Sequence, residues 1–281
     1  METQKTILKS CSLSGKGLQT GKDSEVFFYP EELDKGVSFK RKDLPSAEPI
    51  TIGQKELEFS ANRRSIVGKG KNSVETVEHI LASLSGLGID NIRIEITSSE
   101  PPALDGSARV FAEALQKAGI KEQGREKKYI SITTPLWVEE KEAFLGVFPS
   151  DKFKISFLME APAWRQLFSG EINEEVFKKE IAPARTIWFV PSGPGTVEQK
   201  AEFAKSLGYG RGANKENVLL ISGGKPVNEM RFPDEPVRHK VLDLIGDLYL
   251  LGRPLKARVI AIRSGHKLNL KLVEKIKKEY L

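Results

Sequence analysis

Three histidines stand in a chain of 281 residues, and two of them, His79 and His239, sit beside acids in similar surroundings. His79 follows Thr76-Val-Glu, and His239 opens His-Lys-Val-Leu-Asp, which puts the carboxylate of Asp243 four residues on. On a helix that spacing places imidazole and carboxylate on one face, one turn apart, as two ligands to one ion need to be. His79, brought in from elsewhere, would be a third. Two histidines and one carboxylate, with a fourth position left to water, make up the ligand set of a catalytic zinc site. Against this, His239 and Asp243 taken alone also fit an i,i+4 surface pair, and no HExxH or CxxC motif supports a metal. His266 follows the expected strand 257–262 in Arg263-Ser-Gly-His. Catalytic groups are often displayed at such strand ends, but a histidine capping the next helix suits the local sequence equally well.

The elements that must position these residues read as two related α+β halves. In the first, short strands are expected over 25–29 and 36–40. A helix is expected over 73–85, with Asn72 as its cap and Glu75 completing a capping box. Its apolar stripe is Val74, Val77, Ile80, Leu81 and Leu84; His79 points away from the stripe and Glu78 lies at its edge. A strand over 91–96 and a helix over 108–118 follow. The second half opens with strands over 129–133, 136–139, 143–148 and 153–159, and closes with a helix over 237–251, a strand over 257–262 and a helix over 268–278. On the first of these helices Val237, Val241, Leu244, Ile245 and Leu248 form the core stripe, and His239, Lys240, Asp243 and Asp247 share the opposite face with Gly246. The common helix–strand–helix ending points to duplication of one unit, with both histidine-bearing helices at a shared cleft. The lysine- and glycine-bearing stretch 121–128 reads as a linker, dividing the chain into 1–124 and 125–281.

Composition narrows the class. Hydrophobic residues are 39% and charged residues 29%, which excludes a disordered chain, and the single Cys11 excludes a disulfide framework. No stretch approaches the ~20 apolar residues of a membrane span, and the N-terminus lacks a signal peptide's apolar core, so a soluble cytoplasmic protein is expected. The net charge of +6 suits an anionic partner, nucleic acid or a phosphate-bearing substrate, but also an ordinary lysine-rich surface.

Five segments go further. Thr76-Val-Glu-His-Ile-Leu81, Leu104-Asp-Gly-Ser107, Ala182-Pro-Ala-Arg-Thr186, the run FPDEPVRHKVLDLIGDLYLLG from Phe232 to Gly252, and Ser264-Gly-His266 together resemble the UDP-3-O-acyl-N-acetylglucosamine deacetylases, the zinc amidases of lipid A biosynthesis. The resemblance spans nearly the whole chain, in the same order and at compatible spacing. It implies two α/β-layered half-domains of ribosomal protein S5 domain 2-like fold, each with a small insert, packed around the active-site cleft. The second insert falls at about 188–222, with a helix around 197–207, and the inserts form an apolar tunnel for the acyl chain.

Carried over position by position, the resemblance makes His79, His239 and Asp243 ligands of Zn2+, or of another divalent ion such as Fe2+. It makes Glu78 the general base and His266 the general acid, with Asp247 orienting His266. Thr186 becomes the hydroxyl that polarises the substrate carbonyl. Lys240 and Arg263 are candidate anchors for the UDP diphosphate, with surface cations as the alternative. The implied substrate is UDP-3-O-acyl-GlcNAc, the implied enzyme a cytoplasmic monomer that binds no nucleic acid and touches a membrane at most peripherally. Two rivals remain: a metal amidohydrolase for another N-acetylated sugar nucleotide, and a basic RNA-binding α+β protein. The second has no use for five converging site residues and shows no RNA-recognition signature.

Overall fold

The computed structural model describes residues 2–54, 59–61, 63–161 and 164–281. The first half contributes β1 (Thr3–Ile7), β2 (Cys11–Lys16), β3 (Asp23–Pro30), β4 (Val37–Arg41), β5 (Ile50–Thr51), β6 (Phe59–Ala61), β7 (Ser65–Lys69), β8 (Asn72–Glu75), α1 (Glu78–Leu87), β9 (Ile92–Ile96), α2 (Arg109–Lys117) and β10 (Ile120–Glu126). The second contributes β11 (Ile130–Ser131), β12 (Leu136–Glu140), β13 (Ala143–Pro149), β14 (Lys154–Ala161), β15 (Trp164–Glu171), α3 (Glu174–Val176), β16 (Thr186–Phe189), α4 (Val197–Ser206), β17 (Val218–Ser222), β18 (Lys225–Pro226), α5 (Glu235–Leu248), β19 (Leu255–Ile262) and α6 (His266–Tyr280). The architecture is α+β.

Two sheets carry the fold, in the orders β2-β3-β9-β4-β5 and β12-β13-β19-β14-β15. Pairing sense matches strand for strand. β9 lies antiparallel to β3 and parallel to β4, and β19 lies antiparallel to β13 and parallel to β14. In each, the central strand follows the histidine-bearing helix and precedes the half's last helix. Alternate residues of the central strands, Ile92, Ile94 and Ile96 in one and Ala257, Val259 and Ala261 in the other, are buried. They join one continuous core with residues of α1, α2, α5 and α6. The additions also correspond. The small sheet β6-β7-β8 precedes α1, and the unit β16, α4, β17, β18 precedes α5. Among the described residues no helix is long and apolar enough to cross a membrane.

Two local expectations give way, and one alternative falls. Residues 72–75 are strand β8, paired antiparallel with β7, and α1 starts only at Glu78, without a side-chain cap. Asn72 and Glu75 mimic a capping box, but Arg64 takes the Glu75 carboxylate (Nε to Oε2, 2.7 Å), and Thr76 turns the chain at φ 58°. Residues 121–126, read as linker, belong to β10, which pairs with β1. Only Ile120 and Gln123 are partly buried along it, so an exposed two-stranded ribbon left no apolar period to read. The surface-pair alternative for α5 is ruled out: His239, Asp243, Gly246 and Asp247 on its polar face are all buried, because α1 packs against α5 there. Gly246 makes the approach close, since a Cβ there would lie 2.0 Å from the carbonyl oxygen of Glu78.

Candidate metal centre

The seam between α1 and α5 collects the chemistry. The first turn of α1 supplies Glu78 and His79, and the inner face of α5 supplies His239, Asp243 and Asp247 at four-residue intervals. One ligand atom each of His79, His239 and Asp243 lie within 4.8 Å of one another, and all three residues are buried. Asp243 Oδ1 is 3.3 Å from His239 Nε2 and 3.8 Å from His79 Nε2. His239 Nδ1 sits 3.1 Å from the Ala184 carbonyl oxygen. That oxygen can only accept, so Nδ1 carries the ring proton and Nε2 presents a lone pair. Burial, with His239 alongside, pushes His79 down to about 3, and burial also lowers His239 against the pull of Asp243. Burial would raise the Asp243 carboxyl, but His239, Lys240, His266 and His79 outweigh it and hold it well below the usual range. Two neutral imidazoles and one ionised carboxylate, converging on a point, are the donor set of a divalent ion of zinc's type, and the residues present fit one.

Two proton-handling groups flank the trio. The Glu78 carboxyl is pushed up to about 7 by burial and by the nearby Asp243 and Asp247, with His266 opposing; a cation held by the trio would favour its ionised form. Its Oε2 accepts the backbone N–H of Ser65 at 3.1 Å. His266 is the first residue of α6, and its Nδ1 lies 2.8 Å from Asp247 Oδ2. Burial would lower His266, but Asp247 and Asp243 outweigh it and lift it to about 9. Its free Nε2 is 4.0 Å from Glu78 Oε1 and 3.7 Å from Asp243 Oδ2. A base near neutrality and an imidazolium thus face the same point from two sides.

The comparisons with known proteins fall on this geometry. Residues 4–278 match the family model described as UDP-3-O-acyl N-acetylglycosamine deacetylase. The UDP-3-O-acyl-N-acetylglucosamine deacetylase of Citrifermentans bemidjiense is 38% identical over 280 residues, covering 98% of this chain and 89% of its own. The enzyme of the same name from Chlamydia pneumoniae is 34% identical over 280 residues, covering 98% and 96%. That of Bdellovibrio bacteriovorus is 36% identical over 281 residues, covering 98% and 90%. The chain belongs to the UDP-3-O-acyl-N-acetylglucosamine deacetylase family.

In this family member the remaining expected site residues also line the cavity above the trio, about 700 Å³ in volume. Thr186 gives both its N–H (2.8 Å) and its hydroxyl (3.1 Å) to the carbonyl of Gly106. Its proton must therefore be redirected before it can serve a substrate. Lys240 turns its ammonium onto Asp243, and Arg263 is held between Glu142 and Glu160, the latter at 2.7 Å. Both cations are committed to carboxylates. The Leu104-Asp-Gly-Ser turn is a junction: Asp105 Oδ2 takes Arg109 (2.8 Å) and Arg231 (2.9 Å). A Cβ on Gly106 would lie 1.7 Å from the Asn217 carbonyl oxygen. Thr76, Leu104 and Arg263, each opening a site segment, all hold positive φ without being glycine, strain of the kind that functional segments store.

Ser65, Asn269 and the Ala184 carbonyl are site groups that sequence reasoning passed over. Asp247, fully buried, accepts the hydroxyl of Ser65 and, at 2.8 Å, the amide of Asn269. Asn269 was legible in principle, one turn past His266 on the same helix; nothing local marks Ser65. A second, mainly apolar cavity of about 430 Å³ adjoins the first, lined by Trp188, Val197, Ala201, Ala204, Val218 and Leu220.

Proposed function

We propose that the enzyme hydrolyses the N-acetyl group of UDP-3-O-(3-hydroxyacyl)-N-acetylglucosamine, releasing acetate and the 2-amino sugar nucleotide, with Zn2+ as the ion. The observation that carries this is the convergence of His79, His239 and Asp243 with Glu78 and His266 on the floor of one cavity that opens into an apolar one. Held by that trio, the cation would supply Lewis acidity, lowering the pKa of water from 15.7 toward about 7 and countering charge on the amide oxygen. Glu78 takes a proton from the attacking water. Thr186, turned from Gly106, donates to the acetyl oxygen as it becomes an oxyanion, and the His266 cation favours the same charge. As the C–N bond breaks, His266 gives its Nε2 proton to the departing amine, and Asp247 keeps the ring oriented and charged. The acyl chain lies in the cavity beside α4. The protein acts in the cytoplasm as a monomer with no more than peripheral membrane contact.

The test is acetate release from UDP-3-O-acyl-GlcNAc beside UDP-GlcNAc. A kcat/KM for the acylated sugar at least about tenfold higher is expected, since even one methylene in an apolar pocket is worth that much. Equal values would show that the apolar cavity does not receive the acyl chain, and would favour deacetylation of a different sugar nucleotide.

A further inference from the structure

The inner face of α5 carries one more ionised group than the reaction above uses. Glu235, His239, Asp243 and Asp247 follow one another at four-residue intervals, and Glu235, in the first turn, is completely buried. Its carboxylate grips Arg185 three times: Oε1 accepts the backbone N–H (3.0 Å) and Nε (2.9 Å), and Oε2 accepts Nη2 (3.1 Å). The backbone N–H of Arg231 adds a bond to Oε2 at 2.7 Å. Arg231 in turn reaches the Pro183 carbonyl at 2.8 Å with the guanidinium that holds Asp105. The main chain is thereby held at the Pro183 carbonyl and at the Arg185 N–H, on either side of Ala184.

The neighbours of Arg185 are the two groups that matter. On one side the Ala184 carbonyl receives His239 Nδ1; on the other Thr186 faces the cavity. We propose that Glu235, acting through Arg185, is a positioning residue for the deacetylation: it sets the Ala184 carbonyl that orients the His239 ring and the Thr186 hydroxyl that meets the acetyl oxygen. Neither Glu235 nor Arg185 lies within hydrogen-bonding distance of the ligand atoms, so the effect passes through main-chain placement. A buried ion pair adds little net stability over well-packed apolar residues. A bidentate fork does, however, fix direction, and groups that orient a ligand imidazole typically change metal affinity about 10–100-fold when removed.

This inference rests on the metal-dependent reading above, so its test reads metal affinity separately from turnover. Glu235→Gln is compared with wild type by chelator competition for Zn2+, by kcat and KM, and by urea unfolding. Asp90→Asn, which breaks the Asp90–Lys127 pair at the far end of α1, serves as a control for general destabilisation. The expectation is a zinc Kd raised about tenfold and a kcat lowered about tenfold with KM within about twofold, while Asp90→Asn leaves the zinc Kd within about twofold. If Glu235→Gln does not fold, Arg185→Lys, which keeps the charge and the backbone donor but loses the fork, carries the same comparison. A folded variant with wild-type zinc Kd and kcat overturns the proposal, as does an equal loss of zinc affinity in Asp90→Asn. A wild-type protein that binds zinc but releases no acetate overturns the functional reading instead, and leaves the affinity comparison to be scored on its own.

Discussion

Glu78 and His79 are adjacent in the chain and opposite in their electrostatics. Burial acts on both, lifting the Glu78 carboxyl to about 7 and pushing the His79 imidazole down to about 3, which suits the first to the proposed proton transfer and the second to donating a lone pair. Their variants should separate. Glu78→Ala is expected to bind zinc as wild type does and to lose about 10²–10⁴-fold in kcat, whereas His79→Ala loses the metal itself; metal analysis beside turnover reads both. Wild-type turnover in Glu78→Ala would remove it as the base. At this scale the sequence was legible where one helix set the spacing. His239 and Asp243 lie four apart, so helix geometry alone put them on one face. It was silent where the partner comes from a distant strand or a main-chain atom: Ser65 and the Ala184 carbonyl have no signature in any local pattern. Arg263 read as a candidate diphosphate anchor because its carboxylate partners, Glu142 and Glu160, lie far away in sequence; Lys240 pairs with Asp243 one turn on, a spacing the helix face already offered.

Helix α1 shows how element boundaries are decided by pairing. The Asn72 to Glu75 stretch has the residue types of a helix start, yet a neighbouring strand and Arg64 claim it, and the helix begins where its first turn can deliver Glu78 and His79 to α5. The helices expected over 108–118 and around 197–207 fall within a residue or so of α2 and α4; Thr196 and Gln199 close a capping box at α4, whereas α2 starts without a side-chain cap. The turn at Asp105 is expected to weaken in acid. Burial pushes the Asp105 carboxyl up, but Ser107, Arg231 and Arg109 outweigh it and hold it below its ordinary value. A carboxyl lowered on folding contributes stability above its unfolded pKa of about 3.9, a contribution lost as pH falls through the folded value. Asp105→Asn should therefore cost about 2 kcal/mol at pH 7, and its gap from wild type should close as pH drops below about 4. Urea unfolding across pH 7 to 3 checks this, and a gap that widens toward acid would contradict it.

Across the molecule, matching strand order in the two sheets explains why both histidine-bearing helices meet at one seam. The doubling was faintly legible in the repeated helix–strand–helix ending; the equivalence of the outer strands was not, since pairing partners far apart in sequence leave no local trace. The unit containing α4 adds the apolar cavity, and Leu18, Gln19, Arg63, Thr186 and Ile187 line both cavities. In the proposed reaction the acetyl group enters the first cavity and the acyl chain the second. Ala204→Trp, placed on that apolar wall, should raise KM for a long-acyl substrate at least about tenfold while leaving UDP-GlcNAc turnover unchanged; equal effects on both would place the chain elsewhere. The most direct test of the central claim, that His79, His239 and Asp243 form one catalytic metal site, is zinc titration of metal-stripped protein with acetate release as the readout. Activity should be absent without metal and reach its plateau at about one zinc per chain; full activity in protein shown to hold no metal would contradict it.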